Sequence, residues 1–248
     1  MLVRKIFVTV YFLLILATVF IGMLPILFVT YFYTTQKVFT YINEIFGRLL
    51  FKLMSIPGFW TLKITDRRKL KDFKGQYVIV SNHVSFMDTL VIWHLPVYKK
   101  FILAAKFIKI PIFGQLCWAG GHVTVNRFDP NTTVDAVDKA YLTIQDGSSL
   151  VVYPEGRRSE SQDILLPFKT GAFRVAQRAN IPILPITLIG TGKALPVGGM
   201  CDVSQIEMII DDPIEVSSDH SDIKSHPSIE RVYNLISNNL GLENNSKN

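Results

Sequence analysis

The sequence predicts an α/β fold, a largely parallel sheet flanked by helices, behind an N-terminal apolar helical segment. Three observations lead there. Short β-branched runs alternate with helical segments from about residue 60 onward, the pattern of a parallel sheet covered on both faces. The run from Ile6 to Thr35 holds no charged residue. The polar clusters fall just past the predicted strands, at the edge where such sheets bind ligands.

The elements follow in order. About 20 apolar residues cross a bilayer, so 6–35 is long enough for one tilted helix, or for two arms broken near Gly22 and Pro25. A secretory signal has a much shorter apolar part and a small-residue cleavage site, neither of which fits. Basic residues flank the run on both sides (Arg4 and Lys5, then Lys37, Arg48 and Lys52). That pattern picks no orientation, and a re-entrant hairpin with both ends in the cytoplasm satisfies both flanks. Phe39, Ile42, Ile45, Phe46, Leu49, Leu50 and Leu53 recur at helical spacing and make 36–60 an amphipathic continuation. The expected division is a membrane-anchoring helical region, 1–58, and an α/β domain, 59–248.

Within that domain, strands are expected at 77–82, 101–105, 122–127, 149–154, 181–190 and 205–211. Helices are expected at 86–94, around 113–118, from an Asn131 cap to 145 with Gly147 as the stop, at 171–180, and over 229–240. The chain of 248 residues carries a net charge of +6 and a mean hydropathy of +0.29. With an apolar anchor, that charge favours an anionic membrane surface over nucleic acid. Cys117 and Cys201 lack metal or redox spacing and read as buried thiols.

Two clusters carry chemistry. In "YVIVSNHVSFMDTL", Tyr77 to Leu90, His83 and Asp88 are five residues apart, some 140° around a regular helix. They meet only if His83 sits on the loop and Asp88 in the first helical turn. Ser85 is a suitable N-cap, and Ser85 with Asp88 resembles a capping box. A histidine after a buried strand is poised for proton transfer near neutral pH, and a carboxylate on its other ring nitrogen fixes the tautomer. The second cluster, "YPEGRRSESQDILLPFKTG", supplies Gly156 for close backbone approach, Arg157 and Arg158 as forked phosphate donors, and Lys169 before a helix N-terminus. Lys106, Arg127 and Arg158 end three strands and are expected to converge on one anionic group. A phosphate-binding GxxxxGK[ST] loop, a GxGxxG after the first strand and a Gly-x-Ser-x-Gly elbow are absent. His94 and His122 are scattered and structural, and His83 has no second ligand at zinc spacing.

These residues resemble the membrane-bound glycerolipid acyltransferases, the lysophosphatidic acid (1-acyl-glycerol-3-phosphate) acyltransferase group, over about residues 60–215. Asn-His-x4-Asp is Asn82, His83 and Asp88. Gly-x5-Arg is Gly121 to Arg127. The Phe-Pro-Glu-Gly-Thr-Arg-Ser block reads "YPEGRRS", Tyr153 to Ser159, with Tyr153 for phenylalanine and Arg157 for threonine. The Val-Pro-Ile-x-Pro-Val-like strand is "IPILPIT", and the lysine before Pro-x-x-Gly is Lys106.

The resemblance implies that His83 is the general base on the acceptor hydroxyl, with Asp88 its partner. It implies that Glu155, Gly156 and Arg158, with Arg127 beside them, hold the glycerophosphate. The implied reaction acylates the sn-2 hydroxyl of lysophosphatidic acid from acyl-CoA or acyl carrier protein at the cytoplasmic membrane face, giving phosphatidic acid. No cofactor or metal is implied. The extra charge at Arg157 leaves two further acceptors in play, glycerol 3-phosphate and another lysolipid. A non-catalytic lipid- or phosphate-binding membrane protein is the alternative from another class.

Overall fold

A computed structural model describes residues 1–33, 35–69, 72–110, 113–126, 130–216 and 227–242. Two N-terminal helices form an antiparallel hairpin, α1 (Leu2–Tyr33) and α2 (Gln36–Ser55). The 32-residue α1 runs through Gly22 and Pro25 without a break, so the single-helix expectation holds over the two-arm one. Its Leu2–Gly22 stretch is long and apolar enough to cross a membrane.

The remaining strands form one seven-stranded sheet, in the order β1 (Trp60–Asp66), β7 (Ser204–Ile210), β6 (Ile183–Ile189), β2 (Val78–Ser81), β5 (Ser149–Val152), β3 (Lys99–Ala104), β4 (Val123–Val125). The last five of these are mutually parallel. β7 runs antiparallel to β6, and β1 lies parallel to β7 at the edge. β1 escapes sequence reading because it is an edge strand in which all six residues after Trp60 are half-buried or exposed, with no regular alternation. A short connection after β6, carrying the single-turn helix α7 (Thr191–Ala194), reverses the chain into β7. The expected strands 122–127 and 149–154 are shorter here, because the backbone leaves the ladder at Val125 and at Val152.

Each residue of β2 and β5 is buried, and alternate side chains feed two cores. Ile79 and Val151 join Met54, Trp60, Leu90 and Met87 on the face covered by α2 and α3 (Met87–Ile92). Val78, Val80, Leu150 and Val152 join Ile144, Phe173 and Ile236 on the other face, under α5 (Pro130–Gln145), α6 (Gly171–Ala179) and α8 (Pro227–Asn239). α5 opens at Pro130, one residue before the expected cap. α4 (Phe113–Ala119) follows a 3₁₀ turn, Ala105–Lys109.

From β2 the chain passes over one face toward β3. From β5 it passes over the other face to β6. The strand order therefore switches between β2 and β5, and the loops after these two strands lie at the sheet edge where such folds bind ligands.

The hairpin is bolted to this frame. The fully buried Lys99 ammonium donates to Glu44 Oε1 at 2.7 Å and to the carbonyls of Leu95 and Val97 at 3.0 and 3.1 Å. Arg48 binds the Trp93 carbonyl at 2.8 Å, and Trp93 lies against Gly47, where a Cβ would stand 1.7 Å from its ring. At the other end Arg4 donates to Asp202 at 3.0 Å, and Thr9 Oγ1 accepts from the Cys201 N–H at 2.9 Å. Both cysteines are buried free thiols.

Removing one member of a buried pair strands the other charge, whereas replacing both with apolar groups does not. Lys99→Met is expected to cost about 3–5 kcal/mol in denaturant unfolding, and Lys99→Met with Glu44→Leu is expected to recover most of that loss. A single variant as stable as the parent would show that this pair does not hold α2 in place.

Candidate active site

The site is built where β2 ends. Asn82 is buried and continues the pairing of β2 with β6 through its side chain: Oδ1 accepts from Leu188 N at 2.8 Å and Nδ2 donates to Leu188 O at 2.9 Å. The backbone is thereby freed to turn, and His83 starts the turn. Its N–H donates to Glu155 Oε1 at 2.7 Å, and its carbonyl accepts from Ser159 N at 2.8 Å. Both partners belong to the loop after β5.

Asp88 then closes the turn. Its Oδ2 accepts from Val84 N and Ser85 N at 2.9 Å each, and lies 2.7 Å from His83 Nδ1. Ser85 Oγ accepts from Met87 N at 3.0 Å and donates to Leu195 O at 2.5 Å. The expected capping box is thus present in its reciprocal arm, while α3 itself starts two residues after Ser85. Because Oδ2 already receives two amide N–H groups, it acts as an acceptor toward the ring, so Nδ1 carries the proton. The Tyr153 ring stacks on His83 with centroids 3.9 Å apart and 12° between planes. Asp88 is fully buried, whereas His83 keeps 19 % of its side chain exposed. Nε2 makes no hydrogen bond among the described residues, which leaves it able to take a proton from a ligand.

The loop after β5 is braced by Glu155. This buried carboxylate spends its second oxygen on Leu166 N at 3.0 Å. Burial pushes its pKa up to about 7, against these two N–H donors and the Arg157 charge. With both oxygens bound to backbone, Glu155 holds the His83 loop. Gly156 adopts φ +73°, and a Cβ there would stand 2.9 Å from Lys169 Cε and Nζ. Lys169 therefore lies across the glycine, and its own N–H donates to Pro154 O at 2.9 Å.

Sequence reasoning singled out three basic strand ends. Arg158 is half-buried and Arg157 exposed in the loop after β5, while Lys106 is exposed in the 3₁₀ turn after β3, its ammonium 5.5 Å from the Phe107 ring centroid. β5 and β3 are parallel neighbours, so these residues share the sheet edge that carries His83. Among the described residues, no hydrogen bond or ion pair joins Lys106 to Arg157 or Arg158. Arg127 lies outside the described residues. His94, just past α3, bonds the Leu90 and Val91 carbonyls of that helix, and His122 Nδ1 accepts from Phe101 N at 3.3 Å.

Sequence reasoning missed the stacking of Tyr153 and the bracing role of Glu155. It also missed Gln162, which accepts from Gly190 N at 2.8 Å and donates to Leu188 O at 3.0 Å. Tyr153 and Glu155 stood in a conspicuous block, but their partners are 70 residues upstream, out of reach of local pattern.

The family model for acyltransferases matches residues 61–189, from β1 through β6. The chain is 35 % identical over 167 residues to a chloroplastic 1-acyl-sn-glycerol-3-phosphate acyltransferase of Brassica napus, covering 66 % of this chain and 48 % of that protein. The corresponding Arabidopsis thaliana protein is 35 % identical over 170 residues, 68 % of this chain and 48 % of its own length. The chain therefore spans about half the length of these curated relatives. Its fold matches the crystal structure of the 1-acyl-sn-glycerophosphate (LPA) acyltransferase PlsC of Thermotoga maritima with a TM-score of 0.77, over 96 % of this chain and 95 % of that one, at 22 % identity. By the match from β1 to β6, which takes in the His83 loop and the arginine loop together, the chain belongs to the acyltransferase family.

Proposed function

We propose that this protein transfers an acyl chain from an acyl thioester, acyl-CoA or acyl carrier protein, to the sn-2 hydroxyl of 1-acyl-glycerol 3-phosphate, giving phosphatidic acid. The observation that carries this reading is the 2.7 Å contact between His83 Nδ1 and Asp88, on the sheet edge shared with Arg157, Arg158, Lys169 and Lys106. The relatives named for that reaction support it.

In this mechanism the basic residues hold the acceptor phosphate and bring its hydroxyl to His83. Nε2 takes the hydroxyl proton as the oxygen attacks the thioester carbonyl. Asp88 keeps the ring in the Nδ1–H form and stabilises the imidazolium. Collapse of the tetrahedral species breaks the C–S bond, and the imidazolium returns its proton to the departing thiolate. Oxygen has replaced sulfur on the acyl carbon, and the base is restored.

We infer that the α1–α2 hairpin enters the bilayer from the side on which the α/β domain sits. The ties at Arg4, Thr9 and Glu44 hold both helices to the domain. Leu13, Leu14, Ile21, Phe28 and Phe32 of α1 are more than half exposed, an apolar face that suits lipid. Arg4 at the start of α1 and Lys37 at the start of α2 each lie against the domain, at Asp202 and at the Tyr98 ring, which suits a domain on the cytoplasmic face.

Three outcomes test this reading. His83→Ala is expected to abolish acyl transfer while folding and membrane association persist; retained turnover refutes the base assignment. Asp88→Asn is expected to lower kcat by about a thousandfold or more with a smaller effect on KM, because the amide no longer enforces the tautomer. In a panel of lysolipids and glycerol 3-phosphate with both donor types, lysophosphatidate is expected to be acylated. Its absence from the accepted substrates contradicts the proposal.

A further inference from the structure

A cavity of about 520 Å³ lies on the β3–β4 edge, between the first turn of α2, the end of α4 and the side of α5. It is separate from the candidate active site. Lys100, in its wall, pairs with Leu150, and Leu150 pairs with Val78. Lys100 is therefore level with the first residue of β2, five positions before His83 (83 − 78) and toward the opposite strand ends.

Its polar lining is cationic and incompletely compensated. The Lys100 side chain is 3 % exposed, and its ammonium donates to Gln36 Oε1 at 3.0 Å. The carboxylate it pairs with, Asp146, is 3.8 Å away and 69 % exposed, so water screens it. Burial pushes the Lys100 pKa down, and the half-buried His122 is pushed to about 4, so that ring adds no charge near neutral pH. Lys139 stands exposed on α5 at the rim and pairs with no carboxylate among the described residues. The three formal charges, Lys100, Lys139 and Asp146, sum to +1. Gly121, at φ +63°, keeps the ammonium open: a Cβ there would stand 2.3 Å from Gln36 Oε1 and 3.0 Å from Lys100 Nζ. A buried ammonium with one amide oxygen and one distant carboxylate gains most from an anion that reaches it directly.

The remaining wall is apolar. Phe39 is buried in it, and Trp118 and Leu142 line it at 66 % and 62 % exposure. Val38 and Tyr41, in the first two turns of α2 beyond the lining residues Gln36 and Phe39, are 44 % and 60 % exposed. An ammonium beside exposed aromatic and aliphatic surface fits a phosphate ester attached to an apolar body.

We propose that this cavity is a second, non-catalytic phosphate site that takes the headgroup of an anionic bilayer phospholipid and ties the β3–β4 edge to the membrane surface. It rests on the membrane placement of the hairpin given above. A soluble phosphate shares the chemistry of the headgroup but does not use the apolar wall.

The test titrates the purified full chain in detergent with phosphatidylglycerol, phosphatidylcholine, inorganic phosphate and coenzyme A, counting bound molecules by native mass spectrometry. Phosphatidylglycerol is expected to be held about tenfold more tightly than phosphatidylcholine. Lys100→Met and, separately, Lys139→Glu are expected to erase that preference while turnover of detergent-dispersed lysophosphatidate is unchanged. Lys139 is exposed, so its variant keeps the test open if Lys100→Met fails to fold. An undiminished preference in Lys139→Glu overturns the site, and a loss of turnover there overturns its separation from the catalytic edge. Displacement of the lipid by equal inorganic phosphate or coenzyme A overturns the lipid as occupant. In vesicle flotation, a parent protein that floats with neither lipid contradicts the membrane reading; one that floats without favouring phosphatidylglycerol contradicts only this site.

Discussion

One carboxylate oxygen organises the catalytic edge. Oδ2 of Asp88 gathers the Val84 and Ser85 amides and the His83 ring, which turns a strand into a helix and fixes an imidazole in the same act. A hydrogen bond to a charged group contributes about 1.5–3 kcal/mol, and a fully buried carboxylate left without donors costs more than it contributes. The turn and the dyad therefore form together or not at all. Helix capping and the proposed proton chemistry are served by the same oxygen, so neither function excludes the other.

The second constraint is topological. The switch in strand order falls between β2 and β5, which are directly paired, so the loops that follow them start side by side. Glu155 uses that closeness, reaching from the β5 loop to the His83 amide, while the Tyr153 ring covers one face of the imidazole. The dyad is thus held from two independent strands. The basic residues of the proposed phosphate clamp follow β5 and its neighbour β3, so the sheet itself sets which side of His83 the acceptor approaches.

Much of this was legible in the sequence where the signal is local. The buried runs around Val78–Ser81 and Ser149–Val152 stand out because strands covered on both faces read as nearly continuous apolar runs. The meeting of His83 and Asp88 follows from five-residue spacing and a serine between them. What escaped was set by distant partners. β1 is a half-exposed edge strand whose polar residues hide it, and the reversal of β7 against β6 follows a connection that carries only a single-turn helix. Glu155 looks like a ligand-binding acid in a basic loop; only the fold reveals that its two oxygens are taken by His83 and Leu166. Lys99 and Lys100 are adjacent surface-like lysines in sequence, yet one is locked to Glu44 inside the domain and the other lines a cavity.

The central claim is that Asp88 holds His83 with Nδ1 protonated and Nε2 free to act as the base. Nitrogen-15 NMR of protein labelled at histidine, with His83→Ala used to assign the signals, reads the tautomer directly. The account predicts that the neutral His83 ring is in the Nδ1–H form, with Nε2 giving the shift of an unprotonated nitrogen. A neutral ring carrying its proton on Nε2 would contradict it.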